Sequence, residues 1–281
     1  DLFRDNNVST KLYADDIKIY FEIDSNADVV TLQLCIDGIS EWANNWQLQL
    51  AINKCQHFHI GLSKSVSVAS YSVDSNNLCF VDVVRDLGVI VDSHLTFSKH
   101  IATIVTKGHL RANQILRTFL SKDVSVILKA FLTYVRPLVE YCSPVWSPCT
   151  AALVNKVEAV QRRFTKRLDG LNNLSYDERC FRLKIDRLEL RRLRIDLITC
   201  FKILHGLISL SSGDFFSIVS NRSTRGNSYK LFLPDSRVDS RKHFSLLELS
   251  TCGKVYQTKL CVLAIYLFLF GILSNTLSQG F

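Results

Sequence analysis

The chain has 281 residues, 47% of them hydrophobic, enough to bury a sizeable core in one or two compact units. Its formal charge of +8 favours an anionic partner, nucleic acid or an acidic membrane surface. Nine cysteines, an odd number with no CxxC pair and no Cys/His ladder at zinc spacing, argue against a disulfide framework and a structural zinc module. They imply reduced, mostly buried thiols in an intracellular protein. The chain opens on Asp1 and contains no Met, so it is expected to be a piece of a longer product.

Residues 11–23 read as a hairpin: Lys11-Leu12-Tyr13-Ala14, the acidic pair Asp15-Asp16, then alternating apolar and polar residues from Ile17. A helix is expected from about Asp28, with Leu32, Ile36, Ile39, Ala43 and Trp46 on one stripe. Residues 47–62 and 78–91 read as strands, joined by a Ser-rich connection at 63–75. The first hundred residues thus have the order β-β-α-β-β, an α+β pattern. From about Ile101 the chain is expected to be all-α. Leu153, Val157, Val160, Phe164 and Leu168 step along one helix face, with Arg162, Arg163, Lys166 and Arg167 opposite. A second helix carries Leu190, Leu193, Leu197, Phe201, Leu204 and Ile208 on a stripe expected to be core. Between Lys156 and Lys202 thirteen Lys/Arg face seven Asp/Glu, so most of the net charge sits in this half. After Ser211 the composition is loop-like, and residues 260–273 form an apolar run too short to span a bilayer comfortably.

Adjacent aspartates at a hairpin tip repel each other, and either form a simple polar turn or share a divalent cation. Two-metal phosphoryl transfer needs oxygen ligands that hold two Mg²⁺ roughly 3.5–4 Å apart. The order of the surrounding features favours the second alternative. Tyr13-Ala14-Asp15-Asp16 resembles the Tyr-x-Asp-Asp motif of reverse transcriptases, most closely those of jockey-like and CR1-like non-LTR retrotransposons. Trp42-x3-Trp46 and Leu50-x2-Asn53-Lys54-Cys55 resemble the next polymerase motif, in which the lysine matched by Lys54 is a general acid for pyrophosphate departure. On its chemistry alone Lys54 is equally a solvated surface lysine. Asp86-Leu87-Gly88-Val89-x2-Asp92-x2-Leu95-x-Phe97-x2-His100-Ile101 resembles the primer-grip hairpin and its exit, with Leu87, Gly88 and Val89 approaching the primer end. His100 reads as a capping or packing residue. Tyr134-Val135-Arg136-Pro137-Leu138-x2-Tyr141, Pro144-Val145-Trp146, Glu158-x-Val160-Gln161-Arg162-Arg163-Phe164-Thr165 and Leu188-x-Leu190-Arg191-Arg192-Leu193-Arg194 look like the segment after the palm.

The resemblance implies part of a polymerase palm in residues 1–100, made of the Asp-Asp hairpin, a helix and the primer-grip hairpin. A helical thumb and basic region over 101–210 and a loop-rich C-terminal extension over 211–281 follow. It implies Mg²⁺ held by Asp15 and Asp16, dNTP substrates, an element RNA template and a DNA primer or target, with no specific protein partner. It places the protein in the nucleus or a cytoplasmic ribonucleoprotein, away from membranes. Arg162, Arg163, Lys166 and Arg167 would contact nucleic-acid phosphates, although a solvated helix face has the same pattern. The family's remaining catalytic Asp and nucleotide-binding residues have no match here, and Phe3 stands where a proline is expected. The chain alone is therefore expected to be inactive, and a non-enzymatic nucleic-acid-binding remnant or a functionless pseudogene product are the alternatives. Thr224-Arg225-Gly226, Tyr229-Lys230 and Arg237-x3-Arg241-Lys242-x-Phe244 continue the resemblance, but the sequence after about Ser245 does not. A frameshift there is expected, with a hydrophobic anchor or a buried helix over 260–273 as its rival.

Overall fold

The computed structural model describes residues 8–60, 69–148, 150–215 and 262–268, with 214–215 and 262–268 described as backbone alone. The motifs of residues 224–244, the first residues of the chain and most of the Ser-rich connection lie outside the described residues. Two compact units result. One holds the described residues up to Arg85, Asp92–Leu95 and the strand at 262–268; the other holds Asp86–Val91 and the described residues from Thr96 to 215.

In the first unit, β1 (Ser9–Tyr13) and β2 (Asp16–Glu22) form the expected hairpin, with Tyr13 opposite Asp16. Helix α1 (Asn26–Asn45) starts from Ser25, whose side chain and backbone pair with Asp28 as a capping box. Its stripe Leu32, Ile36, Ile39 and Ala43 is buried as expected, whereas Trp46 falls just past the helix and is exposed. The stretch 47–62 is not one strand. A 3-10 turn (Ile52–Lys54) intervenes, and β3 covers only Gln56–Ile60. Short strands β4 (Ser72–Val73), β5 (Asn76–Asn77) and β6 (Cys79–Val81) follow, β6 lying parallel to β3. The core joins Ile17 and Ile19 of β2 to Leu32, Ile36 and Ile39 of α1, closed by Tyr71 and Val73.

The apolar run near the end of the sequence is a strand, not a helix. Strand β9 (Val262–Phe268) lies between β2 and β3 and is antiparallel to both, giving the order β1-β2-β9-β3-β6. A central strand must satisfy its backbone on both edges, and a continuous apolar run suits that position as well as it suits a helix. Because β2 and β3 both oppose β9, they run parallel to each other, joined through α1.

Strands β7 (Val83–Asp86) and β8 (Val89–Asp92) pair as a separate hairpin, and its tip Asp86–Val91 belongs to the helical unit. That unit continues through α2 (Ser98–Thr118), α3 (Val124–Tyr134), α4 (Arg136–Glu140), α5 (Ser143–Trp146), α6 (Ala151–Lys166), α7 (Tyr176–Leu183), α8 (Leu188–Leu204) and α9 (Ser212–Phe215). Helices α2 and α6 lie close where Gly108 faces Val160; a Cβ on Gly108 would come within 3.1 Å of that side chain. Phe131 stacks on Phe164 at 4.3 Å between centroids, and Trp146 is wholly buried beside them.

Helix α8 turns a different face inward from the one its leucines suggest. Its buried residues are Leu188, Arg192, Asp196, Cys200 and Ile203, while Leu190, Leu193, Leu197 and Phe201 are exposed. The cause is Glu158 on α6, a carboxylate only 4% exposed. It accepts hydrogen bonds from the Tyr176 hydroxyl and from the backbone N–H groups of Leu188 and Glu189, both at 3.1 Å. Those N–H groups open α8, whose own N-cap Arg187 supplies no side-chain cap, so Glu158 caps α8 from a neighbouring helix. One turn further in sits Arg192, 3% exposed, its two terminal nitrogens without a hydrogen-bond partner. Burial holds its guanidinium below the ordinary arginine range, and Glu158 is foremost among the acids opposing that shift.

Without Glu158 the N-terminus of α8 loses its cap and the buried Arg192 loses the foremost of the acids that oppose its burial, a combined cost of about 3–5 kcal/mol. Glu158→Leu should therefore lower the urea midpoint of the helical signal sharply, and Glu158→Leu/Arg192→Leu should recover part of it. A single variant as stable as wild type would remove Glu158 from the centre of this packing.

Candidate functional site

The acidic pair sits on a two-residue hairpin turn of the first unit. Ala14 and Asp15 are the two loop residues between Tyr13 and Asp16, and Ala14 takes φ +51°, a conformation costly for a residue with a Cβ. The turn leaves Asp15 exposed and Asp16 half-buried at the start of β2, while Ile17 and Ile19 anchor that strand in the core. Lys54 is exposed at the end of the 3-10 turn that leads into β3.

Strand register brings the acids and the lysine to one end of the sheet. Asp16 is level with Phe268, and Gln56 is level with Tyr266. The chain two residues before Gln56, at Lys54, therefore reaches the end of β9 that Asp16 adjoins. Strands β2 and β3 are one strand apart, so the two positions stand about 10 Å from each other across the sheet. That span suits side chains converging on one small anionic substrate. Among the described residues no group of three or more His, Cys, Asp and Glu side chains is placed to hold a metal ion. Two adjacent carboxylates on one turn do suit a single hard cation that keeps water or phosphate oxygens as its other ligands.

The second candidate region is the tip of the β7–β8 hairpin. Its two-residue loop, Leu87-Gly88, has φ +43° and +91°. Positive φ at both positions gives the backbone twist that a two-residue hairpin favours, but Leu is a strained choice at the first. Leu87 is 44% exposed, whereas Val89 is buried in the helical core. The Tyr141 hydroxyl donates to the Leu87 carbonyl at 3.0 Å, and a Cβ on Gly88 would lie 3.5 Å from the Tyr141 ring. Neither Tyr141 nor its support by Trp146, whose Nε1 donates to the Tyr141 carbonyl at 2.7 Å, was legible in the spacing of the motifs.

The four basic residues singled out on α6 do not act alike. Arg163, Lys166 and Arg167 are exposed, and Arg167 donates to the Asn113 side chain of α2. Arg162 is half-buried, donates to Asn155 and lies over the Tyr176 ring at 5.5 Å. Other arginines of the basic surplus are consumed within the fold. Arg179 is buried and donates to Thr165 and to the carbonyls of Leu174 and Arg162, while Arg187, Arg191 and Arg194 pair with Asp177, Glu140 and Asp186. The exposed cationic stripe of α6 is therefore Lys156, Arg163, Lys166 and Arg167, narrower than the sequence surplus suggests.

No family model matches the chain, and no solved structure matches it. It is 31% identical over 126 residues, 44% of its own length, to an uncharacterized protein of Caenorhabditis elegans, of which it spans 64%. It is 24% identical over 165 residues, 56% of its length, to the RNA-directed DNA polymerase from mobile element jockey of Drosophila funebris. The jockey polymerase of Drosophila melanogaster is likewise 24% identical over 173 residues, 59% of the chain. The chain spans only 18% of each of these two polymerases. These similarities support an origin related to the reverse transcriptases of retroelements. No helix among the described residues is long and apolar enough to cross a membrane.

His57, His100 and His109 are all held below the ordinary imidazole range, chiefly by burial, with Lys107 acting on His100 and Arg163 on His109. Each ring charges less readily in the folded chain, so protons bind the unfolded chain first as pH falls through about 6.5. The stability present above that pH is lost progressively below it. The urea midpoint should drop between about pH 7 and about pH 5, with a smaller drop in His100→Asn. A midpoint constant over that window would mean these rings are solvated.

Proposed function

We propose that the chain is the C-terminal part of the polymerase region of a jockey-like non-LTR retroelement reverse transcriptase, whose reaction is RNA-templated addition of dNTPs to a DNA primer. The first unit is then the lower part of the palm and the helical unit the thumb. One observation carries this reading: Asp15, Asp16 and Lys54 lie at the same end of one sheet. It does so in a chain similar to polymerases of mobile elements.

In this reading Asp15 and Asp16 would hold Mg²⁺ against the triphosphate. Bound there, the ion would neutralise phosphate charge and acidify the primer 3′-hydroxyl. Lys54 gives a proton from Nζ to the departing pyrophosphate, which its exposed position permits. The Leu87-Gly88 backbone meets the primer strand, because Gly88 allows a close approach that a side chain would obstruct. Arg163, Lys166 and Arg167 neutralise backbone phosphates without reading sequence. The remaining carboxylate that two-metal chemistry needs would come from an upstream segment of the parent protein, which makes this chain alone catalytically inert. The exposed cations of α6 also fit a second reading, a nucleic-acid-binding remnant without chemistry.

The purified chain should bind a poly(rA)/oligo(dT) template–primer with an affinity that falls steeply with salt, and should not extend it with Mg²⁺ or Mn²⁺. Arg163→Glu/Lys166→Glu/Arg167→Glu should weaken binding by about tenfold or more with helicity intact. Unchanged affinity would reduce the stripe to a solvated helix face. Extension that disappears in Asp15→Asn would show that the chain completes its own site.

A further inference from the structure

A two-stranded hairpin is marginally stable by itself, and the β7–β8 tip carries the added strain of Leu87 at φ +43°. Something outside the hairpin must hold it. The contacts that do so come from two places in the helical unit. At Leu87 the Tyr141 hydroxyl takes the carbonyl, 3.0 Å away. At Ile90, two residues beyond the loop, the backbone N–H donates to Nδ1 of His100 at 3.2 Å.

The second contact fixes the state of the histidine. Nδ1 accepts a hydrogen bond, so it carries no proton, and in the neutral ring the proton sits on Nε2. His100 is 3% exposed and its Nε2 has no hydrogen-bond partner, so burying a charged ring here would go uncompensated. Burial and Lys107 both keep it neutral. The ring stands edge-on to Trp146, 5.3 Å between centroids and 61° between planes. Trp146 in turn donates to the Tyr141 carbonyl. Ile90, His100, Trp146, Tyr141 and Leu87 thus form one closed circuit around the tip, with backbone contacts at both ends. A leucine at position 100 could fill the volume, but only an acceptor meets the Ile90 N–H.

We propose that His100 is the positioning residue of the hairpin tip: as a neutral acceptor for Ile90, jointly with Tyr141, it sets the Leu87-Gly88 backbone in the strained form that receives a primer strand. This rests on the reading of the tip as the primer-holding element. His100 touches no substrate, and its effect is carried wholly by the backbone it holds.

The test compares the full chain with His100→Phe, His100→Asn and Tyr141→Phe. Phe keeps the ring against Trp146 without an acceptor, whereas Asn puts an oxygen near the place of Nδ1. Amide hydrogen exchange across residues 86–93 reads the latch, and anisotropy with a poly(rA)/oligo(dT) template–primer reads its use. His100→Phe should speed exchange at Ile90 by about tenfold or more and weaken binding by a similar factor, with His100→Asn restoring both. Tyr141→Phe, which removes one hydroxyl from an exposed side chain, should loosen the tip in the same direction even if His100→Phe fails to fold. Exchange at wild-type rates in both Phe variants would overturn the latch. Faster exchange with unchanged affinity would keep the latch and overturn its part in primer binding, and with it the primer-holding reading of the tip. Failure of His100→Asn to restore exchange would show that the ring matters for its shape and not as an acceptor.

Discussion

A single buried carboxylate organises the helices that carry the basic surface. Glu158 accepts from Tyr176 on α7 and from the first N–H groups of α8, so three helices meet at its two oxygens. Leaving an ionised carboxylate inside a protein is tolerable only when its hydrogen bonds are met and an opposite charge is near. Both conditions are satisfied here, by the N-terminus of α8 and by Arg192. Burial and the neighbouring carboxylate push the Tyr176 hydroxyl far above its ordinary range, so it remains a donor at any physiological pH. Gln161, one turn along α6, donates to Tyr176 and to the Asp186 carbonyl at 3.0 Å and ties the same network to the α7–α8 connection.

This arrangement determines what the surface offers. Rotating α8 so that Arg192 lies inside places Leu190, Leu193, Leu197 and Phe201 outside, against their apolar character. Arg162 and Arg179 lie over the Tyr176 ring, which withdraws them from the solvent-facing charge. Of the cations that remain exposed, Arg163 acts on His109 of α2 and Arg167 is steadied by Asn113 of the same helix. A basic surplus read along the chain therefore overstates the exposed cationic surface, because arginine serves here as much for internal hydrogen bonding as for charge.

Local patterns were legible where one physical effect dominates. The Asp-Asp hairpin followed from alternation around a turn, and the apolar stripe of α1 followed from its three- and four-residue spacing. Periodicity failed on α8, because it counts leucines and cannot see a buried acid on another helix. At residues 262–268 there was no periodicity to read, since a continuous apolar run looks alike in a central strand and in a buried helix, and its pairing partners are more than two hundred residues away in sequence. The acids and Lys54 were each visible in their motifs, but their place at the same end of one sheet depends on pairing with β9, which no motif reveals. Tyr141 and Trp146 stand out in the sequence only as parts of longer patterns. Their work at the hairpin tip is a matter of tertiary contact, which spacing does not carry.

The central claim is that Asp15, Asp16 and Lys54 form one site at one end of the first unit's sheet. Paramagnetic broadening by Mn²⁺ tests it without any need for turnover. With the ion added to the labelled chain, amide signals of Asp15, Asp16 and residues 54–56 should broaden together, and the effect should vanish in Asp15→Asn/Asp16→Asn. Broadening at the acidic turn that leaves residues 54–56 sharp, or broadening that survives the double substitution, would contradict it.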